Sequence, residues 1–253
     1  MTRTIAVANQ KGGVGKTTTV VNLGVTLAEL SQRTLVIDFD PQGALSAGLG
    51  VDSYALETTI WDALLDPGFS VDRAVHAVRA GLDLLPANSK LAMAELELIA
   101  ELRREFILDR VLEPLESEYD VILIDCPPSL GILTTNALCA AQEVLIPLQC
   151  EFLAMRGIRL LLAAIERVQQ RLNPGLEILG ILATMYSTRT VHAREVLNET
   201  REVFGDKVFD VVVHKSIRFA EASVASQAMA EYSGAHKGAL AYRELAQELL
   251  ARG

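Results

Sequence analysis

Short apolar segments alternate along the chain with longer segments in which apolar residues recur at helical spacing. Three of the short segments, VILI (121–124), VLIPL (144–148) and ILGILA (178–183), are apolar at almost every position. A strand of this kind is buried on both faces, as in a parallel sheet that is covered by helices on both sides. The alternation therefore predicts an α/β fold with a doubly wound, mostly parallel β-sheet flanked by helices on both faces.

The same pattern predicts seven strands and seven helices in a single domain over 1–253, since no Ser/Gly/Pro-rich linker and no repeat interrupts it. The predicted strands are 4–8, 34–39, 82–86, 121–125, 143–148, 178–185 and 208–213. The predicted helices are 16–30, 90–117, 130–140, 153–172, 191–203, 216–227 and 237–251. The segment 41–80 is the least regular, and we expect loops and short helices there at one edge of the functional site.

The composition is that of a folded protein whose charge is unevenly distributed. Of the 253 residues, 50% are hydrophobic and 22% are charged, which excludes a disordered or low-complexity chain. The net charge of −9 argues against an ordinary basic nucleic-acid binder. Residues 1–186 contain 14 Lys and Arg against 23 Asp and Glu, whereas 187–253 contain nine of each. Any contact with nucleic-acid phosphates is therefore expected in the C-terminal quarter.

Cysteine usage and the apolar segments predict a cytoplasmic protein. Cys126, Cys139 and Cys150 form no CxxC pair and are odd in number, as expected for buried thiols in a reducing compartment. The first residues, MTRTIAVANQ, have no signal-peptide pattern, and no run of 18 apolar residues occurs in the sequence.

A phosphate-binding loop is the strongest chemical signal. Glycines let successive N–H groups turn toward an anion, and the helix that follows adds the positive end of its dipole. Lys16 is placed to reach the β- and γ-phosphates of a nucleotide, and the Thr17 hydroxyl to bind Mg²⁺. The common G-x4-GK[ST] spacing is not met, because Gln10 replaces the first glycine and Lys11 adds a second lysine. The loop consists of Lys11, Gly12, Gly13, Val14, Gly15, Lys16, Thr17 and Thr18.

Three aspartates follow predicted strands that meet the loop at one edge of the sheet. Asp125 ends VILID, the position from which a carboxylate supports Mg²⁺ in nucleotide hydrolases. Asp38 and Asp40 lie on the same side of an extended chain, where they could face the metal and an attacking water. An ordinary turn formed by Pro41 and Gly43 is the alternative for that segment. Open α/β sheets bind ligands at the carboxyl ends of their strands, which favours the ligand site.

These motifs resemble those of the ParA/Soj/MinD family of deviant Walker-A ATPases, and most closely those of ParA/Soj chromosome or plasmid partitioning proteins. The resemblance rests on KGGVGKTTT (11–19), DFDPQG (38–43) and VILIDCPPSLG (121–131), with softer similarity in IPLQCEFLAMRGI (146–158), ILATMY (181–186) and SIRFAEA (216–222). It implies a slow, partner-stimulated ATPase with ATP and Mg²⁺ as cofactors. Lys11 would reach the phosphates of the partner subunit in an ATP-bound homodimer. Asp40 would position the attacking water, while Asp38 and Asp125 would support the metal.

The resemblance also implies that the ATP-bound dimer binds double-stranded DNA without sequence preference, on the nucleoid, and is stimulated by a ParB/Spo0J-like centromere-binding protein. Candidate DNA contacts at matching positions are Arg189, Lys215 and Arg218, for each of which an ordinary solvated surface charge is the alternative. Met185, Tyr186 and the residues around Val213 are candidate adenine contacts. Relatives often carry Pro-Arg where this chain has His214-Lys215, and a segment near HGKP where it has ASQA (225–228).

Two other functions remain open at this point. A ParA-like ATPase could position or regulate a different protein cargo, with weak or no affinity for DNA. A MinD-like, membrane-associated ATPase would need a terminal amphipathic helix with a basic polar face. The C-terminal segment KGALAYRELAQELLARG has helical leucine spacing but only one net positive charge, so a helix docked on the sheet is favoured and no stable membrane association is expected.

Overall fold

The computed structural model describes residues 2–151 and 154–252, apart from the side chains of 154–156, and these residues form one sheet with helices on both faces. The strands are β1 (Arg3–Val7), β2 (Thr34–Asp38), β3 (His76–Arg79), β4 (Leu82–Leu85), β5 (Val121–Asp125), β6 (Glu143–Gln149), β7 (Glu177–Tyr186) and β8 (Val208–His214). Their order is β3-β4-β2-β5-β1-β6-β7-β8, and all neighbours are parallel except β3 and β4.

The helices connect these strands across both faces. They are α1 (Lys16–Glu29), α2 (Ala44–Gly48), α3 (Ile60–Leu65), α4 (Leu91–Glu97), α5 (Ile107–Leu112), α6 (Ile132–Ala140), α7 (Ala154–Arg171), α8 (Val191–Phe204), α9 (Arg218–Val224), α10 (Met229–Ser233) and α11 (Lys237–Ala251). This is the doubly wound α/β architecture that the sequence predicts.

Side-chain alternation along the central strands divides the core into two layers. On β5, Ile122 and Ile124 pack in the larger layer, whereas Val121 and Leu123 pack in the layer that contains α1 and α11. Because successive side chains of a strand point to opposite faces, a strand that is apolar at every position contributes to both layers. The uninterrupted apolar segments of the sequence are thus explained by burial on both sides.

The strand register brings the predicted site residues to one edge of the sheet. Asp125 is the Cα partner of Val7 on β1 and of Asp38 on β2. At the other half of the sheet, Tyr186 on β7 is the partner of His214 on β8. The loops that follow β1, β2, β5, β7 and β8 therefore meet at the carboxyl edge, where the sequence predicts the ligand.

All seven predicted strands are confirmed, with bounds that agree to within two residues, but an eighth strand was not predicted. β3, with the sequence HAVR, lies at the edge of the sheet and pairs antiparallel with β4. It is short and only partly buried, so it lacks the apolar run by which the others were recognised. The rest of the segment 41–80 contains the short helices α2 and α3, as expected.

The long helix predicted over 90–117 is wrong. The segment contains α4 and α5 with short 3₁₀ turns between and after them, and Arg103 has a left-handed backbone with φ of 56°. Asn136 on α6 accepts a hydrogen bond from the Leu108 amide at 3.0 Å and donates one to the Arg104 carbonyl at 2.8 Å. These bonds from another helix fix the break before α5.

The helix predicted over 216–227 is shorter than expected and is followed by an unpredicted one. α9 ends at Val224, Ser226 adopts a φ of 53°, and α10 begins at Met229. Ser226 donates to the Ala47 carbonyl at 3.1 Å and accepts from Arg79 at 3.0 Å, so the segment 225–228 is docked on α2 and β3. The predicted helix 153–172 corresponds to α7, and residue 153 lies outside the described residues.

Gly180 on β7 provides a test of the packing between β7 and β8. A Cβ atom at Gly180 would lie 2.5 Å from the buried Phe209 ring and 2.9 Å from the Lys207 carbonyl oxygen. We expect Gly180→Ala to lower the free energy of unfolding by about 1–3 kcal/mol, since neither neighbour is a flexible chain end. Gly157→Ala on α7 is the control, because no atom of the described residues lies within 4 Å of its Cβ position, and helix propensity should make it neutral or stabilising. Urea unfolding of both variants measures the difference, and equal destabilisation would contradict this account.

Candidate functional site

The phosphate loop joins β1 to α1 and has the backbone shape that its glycines permit. Gly13 and Gly15 have φ angles of 74° and 91°, in the left-handed region that other residues rarely adopt. Gly15 is the N-cap of α1, and within the described part of the chain no side chain caps the helix or places a carboxylate in its first turn. The amino end of α1 therefore keeps its partial positive charge for an anion.

Residues outside the motif hold the loop in place. Thr184 on β7 donates to the Val14 carbonyl at 2.8 Å. Asn9 donates to the Pro147 carbonyl on β6 at 2.7 Å and accepts from the Lys11 amide at 3.0 Å. Sequence reasoning missed Asn9 and Thr184, because their role depends on contacts between segments that are distant in the chain. The loop is thus fixed before any ligand binds.

Lys16 is a buried cation at the start of α1. Its Nζ donates to the Lys11 carbonyl at 3.5 Å, and only 7% of the residue is exposed. Burial lowers the pKa of the Lys16 ammonium, and the charge of Asp125 partly opposes this effect. An ammonium that has lost most of its hydration interacts strongly with an anion that reaches it, as phosphate binding requires.

Lys11 points toward the end of β6 in the isolated chain. Its Nζ lies 2.8 Å from Glu151 Oε2 and 3.2 Å from Gln149 Oε1. The bond from Lys11 holds the pKa of the Glu151 carboxyl below its usual range. Both members of this ion pair are well exposed, and such a pair contributes only about 0–1 kcal/mol. The Lys11 side chain can therefore exchange Glu151 for another anion at small cost.

Asp125 and Thr17 form the part of the site that suits a divalent cation. The Thr17 hydroxyl donates to Asp125 Oδ2 at 2.7 Å, while the buried Oδ1 has no hydrogen-bond partner among the described residues. Burial, and then the nearby Asp38, raise the pKa of Asp125 well above its usual range. A cation beside Oδ1 would give this oxygen the partner that it lacks. It would also reduce the repulsion between the carboxylates of Asp125 and Asp38.

Asp38 lies next to Asp125 but is bound to α2. Its Oδ2 accepts from the Ser46 amide at 2.8 Å and from the Ser46 hydroxyl at 2.7 Å, and its Oδ1 accepts from the Asp40 amide at 3.4 Å. Burial raises the pKa of Asp38 to about 6, although the bonds from Ser46 oppose the rise. Asp38 therefore positions α2 and adds negative charge beside Asp125, and a role toward the metal stays a prediction.

Asp40 forms the turn that the sequence allowed as an alternative, and it also lies at the site. Its Oδ1 accepts from the Gln42 amide at 3.0 Å, its carbonyl accepts from the Gly43 amide at 2.9 Å, and Gly43 has a φ of 63°. Its carboxylate is close enough to Lys16 to act on the charge of the ammonium. The turn and the functional role are therefore compatible.

No group of three or more His, Cys, Asp or Glu residues that could hold a metal occurs among the described residues. A magnesium site that relies on one or two protein oxygens and on phosphate oxygens does not need such a group. The three cysteines are all buried and reduced.

A mostly apolar cavity of about 330 Å³ adjoins the phosphate loop on the side of β7 and β8. Gly15 and Thr18 form its loop side, Met185 and Val213 its strand side, and Phe219 and Tyr242 part of its helix side. Met185 has a left-handed φ of 49°. Tyr186 does not line this cavity in the described structure; its ring instead packs edge-on against His214 at 5.5 Å. Sequence reasoning missed Phe219 and Tyr242.

The three predicted DNA contacts are exposed, and one of them, Lys215, lines the cavity. Arg189 follows β7, and Lys215 follows β8, where its amide donates to the Tyr186 carbonyl at 3.0 Å. Arg218 begins α9 and forms a 2.8 Å ion pair with Glu221. Because β7 and β8 pair in parallel, the segments that carry these cations leave the sheet at the same edge.

The C-terminal helix α11 packs on the protein, as the sequence predicts. Leu245 and Leu249 are fully buried in the layer that contains α1, and Leu250 packs against it. Among the described residues, no helix has both the length and the apolar content that crossing a membrane would need.

Known proteins resemble this chain over its whole length. Residues 2–178 match the family model described as AAA domain. The chromosome partitioning protein ParA of Caulobacter vibrioides is 45% identical over 252 residues, which are 99% of this chain and 94% of the relative. The sporulation initiation inhibitor protein Soj of Bacillus subtilis is 43% identical over 253 residues, which are 100% of both chains.

A solved structure with bound ligands is similarly close. It is that of cobyrinic acid a,c-diamide synthase from Mycobacterium smegmatis with bound ATP analog and magnesium. The two folds superpose with a TM-score of 0.87 at 43% identity, covering 99% of this chain and 95% of that one.

The buried carboxylates predict an unusual dependence of stability on pH. Asp38 has a pKa of 3.8 in an ordinary environment and about 6 in the fold, so the folded state binds the extra proton between these values. The contribution of Asp38 to the free energy of unfolding is therefore fully present below about pH 4 and is lost as pH rises through about 6. The loss is about 3 kcal/mol, because one pKa unit corresponds to about 1.4 kcal/mol. Asp38→Asn lacks this loss.

We therefore expect the stability of Asp38→Asn relative to the natural protein to rise by about 2–3 kcal/mol between pH 4 and pH 7. Urea unfolding without nucleotide or Mg²⁺ measures it. Asp62→Asn is the control. Asp62 accepts a hydrogen bond from the Thr59 amide at 2.8 Å at the start of α3, whereas Asp38 and Asp125 lie on β2 and β5. Parallel pH curves for Asp38→Asn and the natural protein would contradict the expectation.

Proposed function

We propose that this chain, which belongs to the ParA/Soj family of partitioning ATPases, binds DNA as an ATP-dependent dimer and releases the DNA when ATP is hydrolysed. The identities of 43–45% to partitioning relatives confirm the family resemblance of its motifs. The observation that carries the proposal is the meeting of Lys16, Thr17 and Asp125 at the edge that also bears three exposed cations. Its cargo would be a chromosomal or plasmid locus.

ATP and Mg²⁺ fit the residues present. Lys16 and the backbone amides of 12–18 would hold the phosphates, and the cavity beside Met185 would take the base. Thr17 and the unpartnered oxygen of Asp125 supply the hard oxygen ligands that Mg²⁺ prefers. Bound there, the ion would neutralise charge on the phosphates.

Hydrolysis would depend on positioning and electrostatics from three side chains. Asp40 would orient a water whose oxygen bonds to the γ-phosphorus while the bond from that phosphorus to the β–γ bridging oxygen breaks. ADP and inorganic phosphate are the products, and the proton that the water loses passes to the phosphate or to solvent. Lys16 would stabilise the developing negative charge. Lys11 of one subunit would leave Glu151 for the phosphates of the partner, so that nucleotide favours the dimer. The weak, exposed pair between Lys11 and Glu151 supports this exchange.

DNA binding would use Arg189, Lys215 and Arg218 from both subunits. One subunit offers few cations on an acidic body with a net charge of −9, whereas affinity for DNA rises steeply with each phosphate neutralised. Dimerisation doubles the contacts and turns DNA binding on. A ParB/Spo0J-like partner would stimulate hydrolysis, and the protein would be cytoplasmic and associated with the nucleoid. The docked α11 argues against a membrane-bound, MinD-like use of the C terminus.

The decisive test is retention on random duplex DNA at low salt, with and without ATP. We expect retention only with ATP, with a steep decline as salt rises, because phosphate contacts release counterions. Lys16→Ala, which lacks the cation at the phosphates, should bind neither ATP nor DNA. If the ATP-bound dimer forms in light scattering but is not retained, the chain positions a protein cargo instead.

Arg218→Glu tests the DNA surface. We expect dimerisation with ATP to persist while DNA affinity falls at least tenfold and the salt slope decreases by about one per subunit, since each lost phosphate contact removes about one released counterion. Arg243→Glu is the matched control, because Arg243 is also a partly exposed arginine paired with a carboxylate, Glu29, at 3.2 Å. Equal losses in both variants would show that only net charge matters.

Asp40→Ala tests the hydrolytic role. We expect ATP binding and dimerisation to persist and phosphate release to fall at least a hundredfold, so that the dimer accumulates. Asp52→Ala is the control, since Asp52 accepts from the Tyr54 amide in a similar turn at 3.2 Å. If the Asp40→Ala protein stays monomeric at saturating ATP, the proposed hydrolytic role of Asp40 is wrong.

A further inference from the structure

Helix α9 borders the cavity proposed for the base and carries Arg218, one of the three exposed cations. Phe219 and Ser223 of α9 line the cavity. Arg218 of the same helix faces solvent, and the side chains at its two ends, Ile217 and Val224, are 75% and 89% exposed. A helix of only two turns therefore contacts both the space proposed for the base and the surface proposed for DNA.

Phe219 is wedged between the cavity and the C-terminal helix. Its ring packs edge-on against Tyr242 of α11, with centroids 6.0 Å apart at 86°. Its ring tip also lies 2.7 Å from the position of a Cβ atom at Gly238, so the two helices are in close contact there. Tyr242 in turn shares a 3.2 Å hydrogen bond with Thr19 on α1, the helix that follows the phosphate loop.

The support of α9 is uneven. Ala222 is its one fully buried residue, in a small cluster with Met229 and Ala239. Phe219 packs against the core on the side of Tyr242, and its other side borders about 330 Å³ of open space. Atoms that line such a space lack dispersion contacts on one side, and a helix with few buried contacts opens locally at low free energy.

We propose that Phe219 is the positioning residue through which the base of a bound nucleotide orders α9 and thereby sets Arg218 on the DNA-binding surface. The inference rests on the proposed function, and it names the path by which nucleotide controls that surface. A base in the cavity supplies the contacts that Phe219 lacks and fixes the helix. DNA then binds an Arg218 that is already ordered, so less conformational entropy is lost on binding.

Arg218 is well placed to follow α9. It donates to Glu221 one turn further along the same helix at 2.8 Å, and Tyr232 of α10 donates to the same carboxylate oxygen at 3.3 Å. This pair is well exposed and therefore weak, but Arg218 is the first residue of α9, so order in the backbone of α9 carries over to the charge that would meet DNA. Binding linkage also requires the reverse effect, so DNA should tighten nucleotide binding by the same factor.

The experiment compares Phe219→Ala, Phe219→Leu and the natural protein at saturating, slowly hydrolysed ATP analogue with Mg²⁺. Light scattering reports dimerisation, hydrogen exchange reports order in 217–224, and retention on random duplex DNA reports affinity. We expect the analogue to slow exchange in the natural protein. Phe219→Ala should still dimerise, show no slowing and bind DNA at least fivefold more weakly, and Phe219→Leu should restore most of both effects.

Val224→Ala is the matched control on the same helix, since its side chain is almost fully exposed, and it should behave as the natural protein does. A Phe219→Ala dimer with natural DNA affinity would overturn the proposal. The proposal would also be overturned if Phe219→Leu restored neither slow exchange in 217–224 nor DNA affinity. Phe219 would then be an ordinary packing residue.

A second measurement on the natural protein needs no folded variant. Inorganic tripolyphosphate with Mg²⁺ offers phosphates without a base, and we expect it to leave exchange in 217–224 unchanged where the ATP analogue slows it. Equal slowing by tripolyphosphate would overturn the role of the base. If the natural protein with the analogue is not retained on DNA, the proposed function fails, while the exchange comparison still decides whether the base orders α9.

Discussion

The parallel register of β1, β2 and β5 is the constraint on which the site depends. It makes Asp38 and Asp125 neighbours at the ends of two buried strands, both almost without exposure. Two carboxylates that share a buried position cannot both ionise cheaply, because low dielectric and like charge each favour the neutral form. The surrounding polar groups reduce this conflict: Ser46 donates to one carboxylate and Thr17 to the other, with the Lys16 ammonium nearby. One oxygen of Asp125 stays without a partner among the described residues, and the proposed Mg²⁺ would be bound there.

The phosphate loop shows how chemistry and geometry come from different parts of the chain. Its glycines and lysines supply the backbone freedom and the charge, yet its position is set by Asn9, Thr184 and the carbonyl of Pro147. Asn9 follows β1, Pro147 lies on β6, and Thr184 lies on β7, the strand that precedes Arg189. The frame that holds the phosphate loop is therefore continuous with the strand that leads to one of the exposed cations, whereas α9, which forms part of the cavity wall, has Ala222 as its one buried residue.

The sequence was sufficient where the cause is local and insufficient where it is tertiary. Short apolar runs, three of them apolar at almost every position, identified seven strands, and the phosphate loop was recognisable from residue type and spacing. The break before α5 depends on Asn136 from α6, and no pattern within 90–117 reveals it. Three other contacts likewise join segments that only the fold brings together. They are the hydrogen bond from Ser46 to Asp38, the ion pair of Lys11 with Glu151, and the ring contact of Phe219 with Tyr242. The edge strand β3 was missed because an edge needs little apolar content.

The uneven charge of the chain acquires a physical meaning from this arrangement. The acidic excess of residues 1–186 repels DNA at long range, whereas the exposed cations follow β7 and β8 at the edge that also holds the phosphate loop. Screening limits the repulsion to about 8–10 Å at ordinary salt, so a short-range cluster of cations can still bind phosphate. The free energy of such binding grows with the number of phosphates contacted, and a second copy doubles that number without changing any residue. Under the proposed function, an acidic body with exposed cations at one edge would make affinity for DNA depend on dimerisation, which is what a nucleotide-controlled switch requires.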